Sequence, residues 1–157
     1  MKRFDLVAMG GTFDVIHKGH VTLLSGAFSI STKVIIGLTG DEMALTKGKN
    51  LENDYGKRLE ALVKTIEKNF PNTEFEISKL ENDFGPAVLE KKVQALVVSS
   101  ETSFQGEILN QLRRKKNLPP VEVIEIPMVL AKDGKRISGT RIKNKEIDYD
   151  GNLSSVD

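Results

Sequence analysis

Short runs of apolar, β-branched residues alternate along this chain with longer stretches whose apolar residues recur every three or four positions. The runs cover residues 4–9, 33–38, 73–78, 95–100 and 121–126, each of strand length. Between them, Val21, Leu24 and Phe28 share one helical face, as do Tyr55, Leu59, Leu62 and Ile66, and then Phe104, Ile108 and Leu112. A shorter helix is expected to start near Pro86, because proline suits a first helical turn. This alternation predicts an α/β fold, a single Rossmann-like domain with a five-stranded parallel sheet and helices on both faces. In open sheets of that kind ligands bind beyond the carboxyl ends of the strands, where strand order reverses. Any site should therefore be drawn from the segments that follow the apolar runs.

Two connections stand out. Residues 39–53 form a long, charged, glycine-containing link, which reads as a mobile loop. Asp133-Gly134 is a tight-turn signal. Residues 146–157 lack an apolar face and read as a short docking segment with a frayed end, which leaves residues 1–145 as the domain.

Composition narrows the classes of function. The chain has 157 residues, which suits one domain, and no cysteine, which excludes disulfides, thiolate metal sites and cysteine nucleophiles. That fits a reducing compartment, and a cytoplasmic location is expected. Lys and Arg total 23 against 22 Asp and Glu, so no overall field draws the chain to nucleic acid or an anionic membrane. No apolar run approaches the roughly 20 residues that span a bilayer.

Both histidines of the chain fall within residues 9–20, "MGGTFDVIHKGH". Gly10 and Gly11 close the first strand and allow a ligand to approach the backbone, while Thr12 offers a hydroxyl at its exit. Gly19 removes a side chain where the next helix begins, and His17 and His20 lie on one side of its first turn. Two imidazoles beside a helix N-terminus make a donor-rich cradle for phosphate. The string is neither a Walker loop nor G-x-G-x-x-G, and two histidines alone make an incomplete zinc site, so no metal ligands are assigned. A second anion-binding candidate is "RISGTRIK", residues 136–143, where Ser138, Gly139 and Thr140 open an apparent helical turn flanked by cations.

Together, "GGTFDVIHKGH" and "ISGTRIK" resemble the nucleotidyltransferase superfamily, whose members carry H-x-G-H and I-S-S-T-x-x-R on an adenylyltransferase-type nucleotide-binding fold. The whole chain most resembles the archaeal and eukaryotic type of phosphopantetheine adenylyltransferase, with supporting stretches "IGLTGDE", "ALVVSSET", "ILNQLR" and "AKDGKRISGTRI" in consistent order. It departs from the pattern at Gly139, where the family has a second serine, at Lys143, where it has arginine, and at Ser100, where proline is frequent.

The resemblance implies transfer of AMP from ATP to 4′-phosphopantetheine in coenzyme A biosynthesis, with magnesium carried in by ATP. It implies His20 on the α-phosphate, His17 on the triphosphate and Thr12 at the transferred phosphoryl group. Gly10, Gly11, Gly19, Ser138, Gly139, Thr140, Arg141 and Lys143 would surround ATP, with Arg141 or Lys143 neutralising the leaving group. Lys47, slightly ahead of Lys49, would bridge the two substrates, and Thr39 and Arg113 are further candidates for the acceptor side. Transferases acting on FMN, nicotinamide mononucleotide or glycerol 3-phosphate share these motifs; a non-catalytic nucleotide-binding module would have lost the catalytic histidine or the phosphate-binding helix start, and both are kept here.

Overall fold

The computed structural model describes residues 2–82, 84–85, 90–127 and 129–153, so the helix expected near Pro86 falls outside the described residues. In chain order the elements are β1 (Phe4–Gly11), α1 (Lys18–Ile30), β2 (Ser31–Thr39), α2 (Asp41–Thr46), α3 (Tyr55–Asn69), β3 (Glu74–Leu80), β4 (Ala95–Ser99), α4 (Phe104–Lys115), β5 (Glu122–Ile126) and α5 (Gly139–Lys143). The strands form one five-stranded sheet in the order β3-β2-β1-β4-β5. All neighbouring pairs run parallel. Successive strands step outward from β1 to β3, and the chain then crosses back to β4 beside β1. That reversal opens a crevice above the carboxyl ends of β1 and β4.

Side chains alternate across the sheet because strand period is two. Val7, Met9, Val34, Ile36, Ala95 and Val97 meet Leu24, Ala27 and Phe28 of α1 and Leu62 and Ile66 of α3. Ala8, Ile35, Leu96 and Val98 face the other way, toward Leu109 of α4 with Val93 and Val121. With both faces covered, the central strands read as near-continuous apolar runs. A small third cluster joins Ala131, Ile137 and Ile147. It seats the segment after α5, whose Tyr149 carbonyl accepts a hydrogen bond from the Lys18 N–H at 3.0 Å.

The stretch expected as a mobile loop, residues 39–53, is built differently. Its first half is α2, with Asp41 and Glu42 in the first turn where negative charge suits the helix dipole, and with Ala44 buried. The Gly40 N–H is tied to the Leu80 carbonyl at 2.8 Å. The second half is held by side chains of the cleft, described below.

Candidate active site

A cleft of about 880 Å³ lies above the ends of β1, β4 and β5, large enough for a nucleotide and part of a second substrate. Its floor is shaped by the turn after β1. Phe13 adopts a left-handed backbone (φ 50°), uncommon for an aromatic residue, and its ring is buried. That ring folds back beneath Gly11, where a Cβ would come within 2.8 Å of it, and packs at a tilt of 40° against the ring of His20, centroids 4.9 Å apart. Gly11 is thus glycine because Phe13 occupies the space of its side chain.

The histidines close the helix start reciprocally. His17, the N-cap of α1, accepts the Gly19 N–H on Nδ1 at 3.0 Å, and His20 accepts the His17 N–H on Nδ1 at 3.2 Å. The glycine between them is required by contact: a Cβ on Gly19 would lie 2.8 Å from the His17 ring. Because both Nδ1 atoms accept, each neutral ring carries its proton on Nε2 and offers that atom as a donor. The rings stack at 4.0 Å. Burial lowers the His17 pKa to about 4, with the positive charge of Arg136 adding to the effect. Burial likewise lowers His20 to about 3, reinforced by His17 and Lys49. The site therefore presents two neutral, tautomer-fixed donors.

Of the residues expected in the site, Gly10, Gly11, Thr12, His17, Gly19, His20, Lys49, Ser138, Gly139 and Lys143 line the cleft. Ser138 Oγ accepts the Arg141 N–H at 3.2 Å, capping α5 while its own O–H stays available to donate. Lys143 pairs with the Asp14 carboxylate and donates to the Asn50 carbonyl at 3.1 Å. The Thr140 side chain lies outside the described residues.

Four of the expected residues lie outside the cleft lining. Lys47 is the C-cap of α2 and does not line the cleft; Gly48 (φ 75°) turns the chain after it, and Lys49 lines the cleft instead. Thr39 is buried, its Oγ1 donating to the Gly11 carbonyl at 3.1 Å, so it braces β1 against β2 and is not part of the cleft wall. Arg113 is fully buried and donates to the carbonyls of Pro119 at 2.7 Å and Glu90 at 3.0 Å, next to the strand starts and away from the cleft. Arg141 is drawn from the cleft by Asp133, with which it pairs, and by the Arg136 carbonyl at 3.0 Å.

A family model described as cytidylyltransferase-like matches residues 8–145. The phosphopantetheine adenylyltransferase of Methanopyrus kandleri is 36% identical over 145 residues, 92% of this chain and 92% of that protein. The enzyme of that name from Pyrococcus horikoshii is 40% identical over 156 residues, 97% of this chain and 96% of that protein. This chain belongs to the phosphopantetheine adenylyltransferase family. A crystal structure of a protein of unknown function from Archaeoglobus fulgidus shares the fold with a TM-score of 0.70 and 28% identity, covering 80% of this chain and 89% of that one.

This member of the adenylyltransferase family also organises its cleft through residues that sequence reading passed over. Asp14 accepts the N–H groups of Glu52 and Asn53, both at 2.9 Å, in addition to Lys143. Burial alone would raise its pKa, but Lys143 and the two N–H groups outweigh that and hold the carboxyl below its ordinary range. Arg58 is fully buried in the first turn of α3. Its guanidinium reaches the carbonyls of Thr12 at 2.9 Å, Thr39 at 2.7 Å and Asn53 at 3.1 Å, and the Asp41 carboxylate at 2.7 Å. One side chain thereby fixes the ends of β1 and β2 and both ends of the segment that carries Lys49. A signal was present: Arg58, Leu62 and Ile66 fall at i, i+4, i+8, which puts a cation on the buried stripe of α3.

Proposed function

We propose that this chain transfers the adenylyl group of ATP to 4′-phosphopantetheine, giving dephospho-coenzyme A and pyrophosphate. The observation that carries the reading is the reciprocal His17–His20 pair, two Nε2–H donors fixed at the head of the cleft across from Ser138 and Lys143. The relatives named above support phosphopantetheine as the acceptor.

The chemistry follows from charge. The acceptor is a phosphate monoester whose second pKa lies near 6, so its oxygen is already a nucleophile at neutral pH and needs no general base. That oxygen forms a bond to the α-phosphorus as the bridging bond to the β-phosphate breaks, and the electron pair leaves with pyrophosphate. Catalysis is then alignment plus stabilisation of the developing charge. His20 donates to the α-phosphoryl oxygens and His17 to the adjoining phosphates. Neutral rings suit this task, because neither has to gain or lose a proton. Thr12 donates beside the transferred group, Ser138 and Lys143 meet the outer phosphates, and Lys49 bridges the two substrates.

Among the described residues no cluster of three or more His, Asp or Glu side chains stands ready to hold a metal ion. Asp14 uses both oxygens on Lys143 and backbone N–H groups, and Glu101 is paired with Arg136. Magnesium would enter as part of the nucleotide, keeping much of its water.

The test is pyrophosphate release with ATP, magnesium and 4′-phosphopantetheine, run beside CTP and beside FMN, nicotinamide mononucleotide and glycerol 3-phosphate as acceptors. Release should require ATP and phosphopantetheine together. Release with another acceptor alone, or none with any, overturns the reading.

A further inference from the structure

The cation closest in sequence to the S-G-T turn, Arg141, is not in the cleft. Its side chain is largely buried, pairs with Asp133, and sits 3.7 Å from Glu146. Those contacts hold the hairpin that carries the turn of Gly134 (φ 82°) and the bridge between Leu130 and Arg136. Because Arg141 also donates to the Arg136 carbonyl at 3.0 Å, it anchors the backbone from which the Arg136 side chain projects. Arg136 does line the cleft, close enough for its charge to act on His17.

In this structure the Arg136 guanidinium lies 2.8 Å from the carboxylate of Glu101, which comes from the β4–α4 connection on the opposite side of the crevice. Both side chains are about half exposed, at 50% and 47%. An ion pair so exposed contributes little, so opening it costs little. Lys143 is held differently, by a carboxylate that is only 9% exposed and by a carbonyl. Arg136 is therefore more readily exchanged onto an arriving anion than Lys143. Its planar fork also matches phosphate oxygens two at a time, which lysine cannot do.

Resting on the adenylyltransferase reading, we propose that Arg136 is the arginine that grips the β- and γ-phosphates and the departing pyrophosphate, and that Glu101 holds it ready until they arrive. Arg141 is its positioning residue. In this arrangement Glu101 competes with the nucleotide for the same guanidinium, and its own charge repels the polyphosphate. Removing either member of the pair should then have opposite effects, whereas an ion pair that only braces the two loops would make both losses act alike.

The experiment compares wild type with Arg136→Ala, Arg136→Lys and Glu101→Gln for binding of ATP, pyrophosphate and AMP by titration calorimetry, with thermal unfolding to show that each variant is folded. Arg136→Ala should weaken ATP and pyrophosphate about ten-fold or more and leave AMP unchanged, since AMP lacks the outer phosphates. Arg136→Lys should recover part of that loss, and Glu101→Gln should tighten ATP and pyrophosphate. Equal weakening by Arg136→Ala and Glu101→Gln, or an Arg136→Ala loss as large for AMP as for ATP, overturns the proposal. So does unchanged ATP binding in Arg136→Ala. These titrations need no acceptor, so their outcome is separate from the pyrophosphate-release assay that tests the reaction itself.

Discussion

The sheet has a fully buried arginine at each end, and the two do the same local work for different consequences. Arg113 ties together the segments that lead into β4 and β5, through the carbonyls of Glu90 and Pro119. Arg58 ties together the segments that leave β1 and β2, through the carbonyls of Thr12 and Thr39. In both places carbonyls at or beyond the edge of the parallel sheet lack ladder partners, and a forked donor satisfies several at once. Among the described residues no buried side-chain nitrogen or oxygen is left without a hydrogen bond. The difference lies in the edge. Strand starts meet only the core of the neighbouring face, whereas strand ends form the floor of the cleft. A buried arginine is thus a structural feature first, and the edge it serves decides whether chemistry depends on it.

Replacing each arginine by methionine is the most forceful way to break that comparison. Arg58→Met removes the partner of Asp41 and leaves three carbonyls short of a donor, and should cost about 3–5 kcal/mol of stability. It should also lower kcat/KM for both substrates, because Thr12 and the segment bearing Lys49 lose their common anchor. Arg113→Met should cost about 2–4 kcal/mol by the same loss of donors, yet leave kcat and both KM values unchanged at temperatures where it is folded. Urea denaturation and steady-state pyrophosphate release measure the two effects separately. If Arg113→Met lowers kcat as far as Arg58→Met does, the distinction between the two edges fails.

The same contrast explains what could be read from the sequence. All five strands follow from β-branched runs, and α1 and α3 follow from apolar spacing. Helix α2 was missed because six residues are too few to display a period. The histidine motif was legible, but its fixed tautomers were not, since they depend on where the Gly19 and His17 N–H groups fall once the turn has formed. Which of two neighbouring cations lines the cleft was not legible for a related reason. Gly48 turns Lys49 into the cleft in place of Lys47, and Asp133 withdraws Arg141 while Arg136 remains. Adjacency to a motif says little once a hairpin or a left-handed glycine intervenes. The Asp14–Lys143 pair joins residues 129 positions apart, beyond the reach of any local pattern.

A second test sharpens the comparison within the cleft edge itself, by separating support from chemistry. His20→Ala should lower kcat by about 10²–10³-fold, the usual loss of one preorganised donor, while the KM for ATP changes little. His20→Asn keeps an oxygen near the Nδ1 position for the His17 N–H but offers no donor at the Nε2 position. It should therefore preserve helix α1 and stability while losing turnover almost as far as alanine. Full turnover in the asparagine variant would mean that His20 serves only to start the helix, which would make it a second Arg113.

A pH dependence should come from one end of the sheet alone. His17 and His20 stay neutral in the folded protein down to about pH 4 and about pH 3, whereas unfolded histidine takes up a proton near 6.5. Between those values the unfolded chain binds more protons, so stability rises with pH and is lost on acidification through the window from 6.5 downward. The mostly buried His20 contributes a slope approaching about 1.4 kcal/mol per pH unit once its unfolded counterpart is fully protonated. The carboxyl of Asp14, already held below its ordinary range, gives up its contribution only at lower pH still. Urea denaturation of wild type and His20→Asn at intervals from pH 7.5 to 4.5 measures this directly. The two curves should run parallel above pH 7; curves that stay parallel below pH 6.5 mean that His20 is not the group responsible, whereas a flatter curve for the asparagine variant there assigns the loss to the cleft edge. Arg113→Met, which alters the other edge, should shift the whole curve downward without changing its slope.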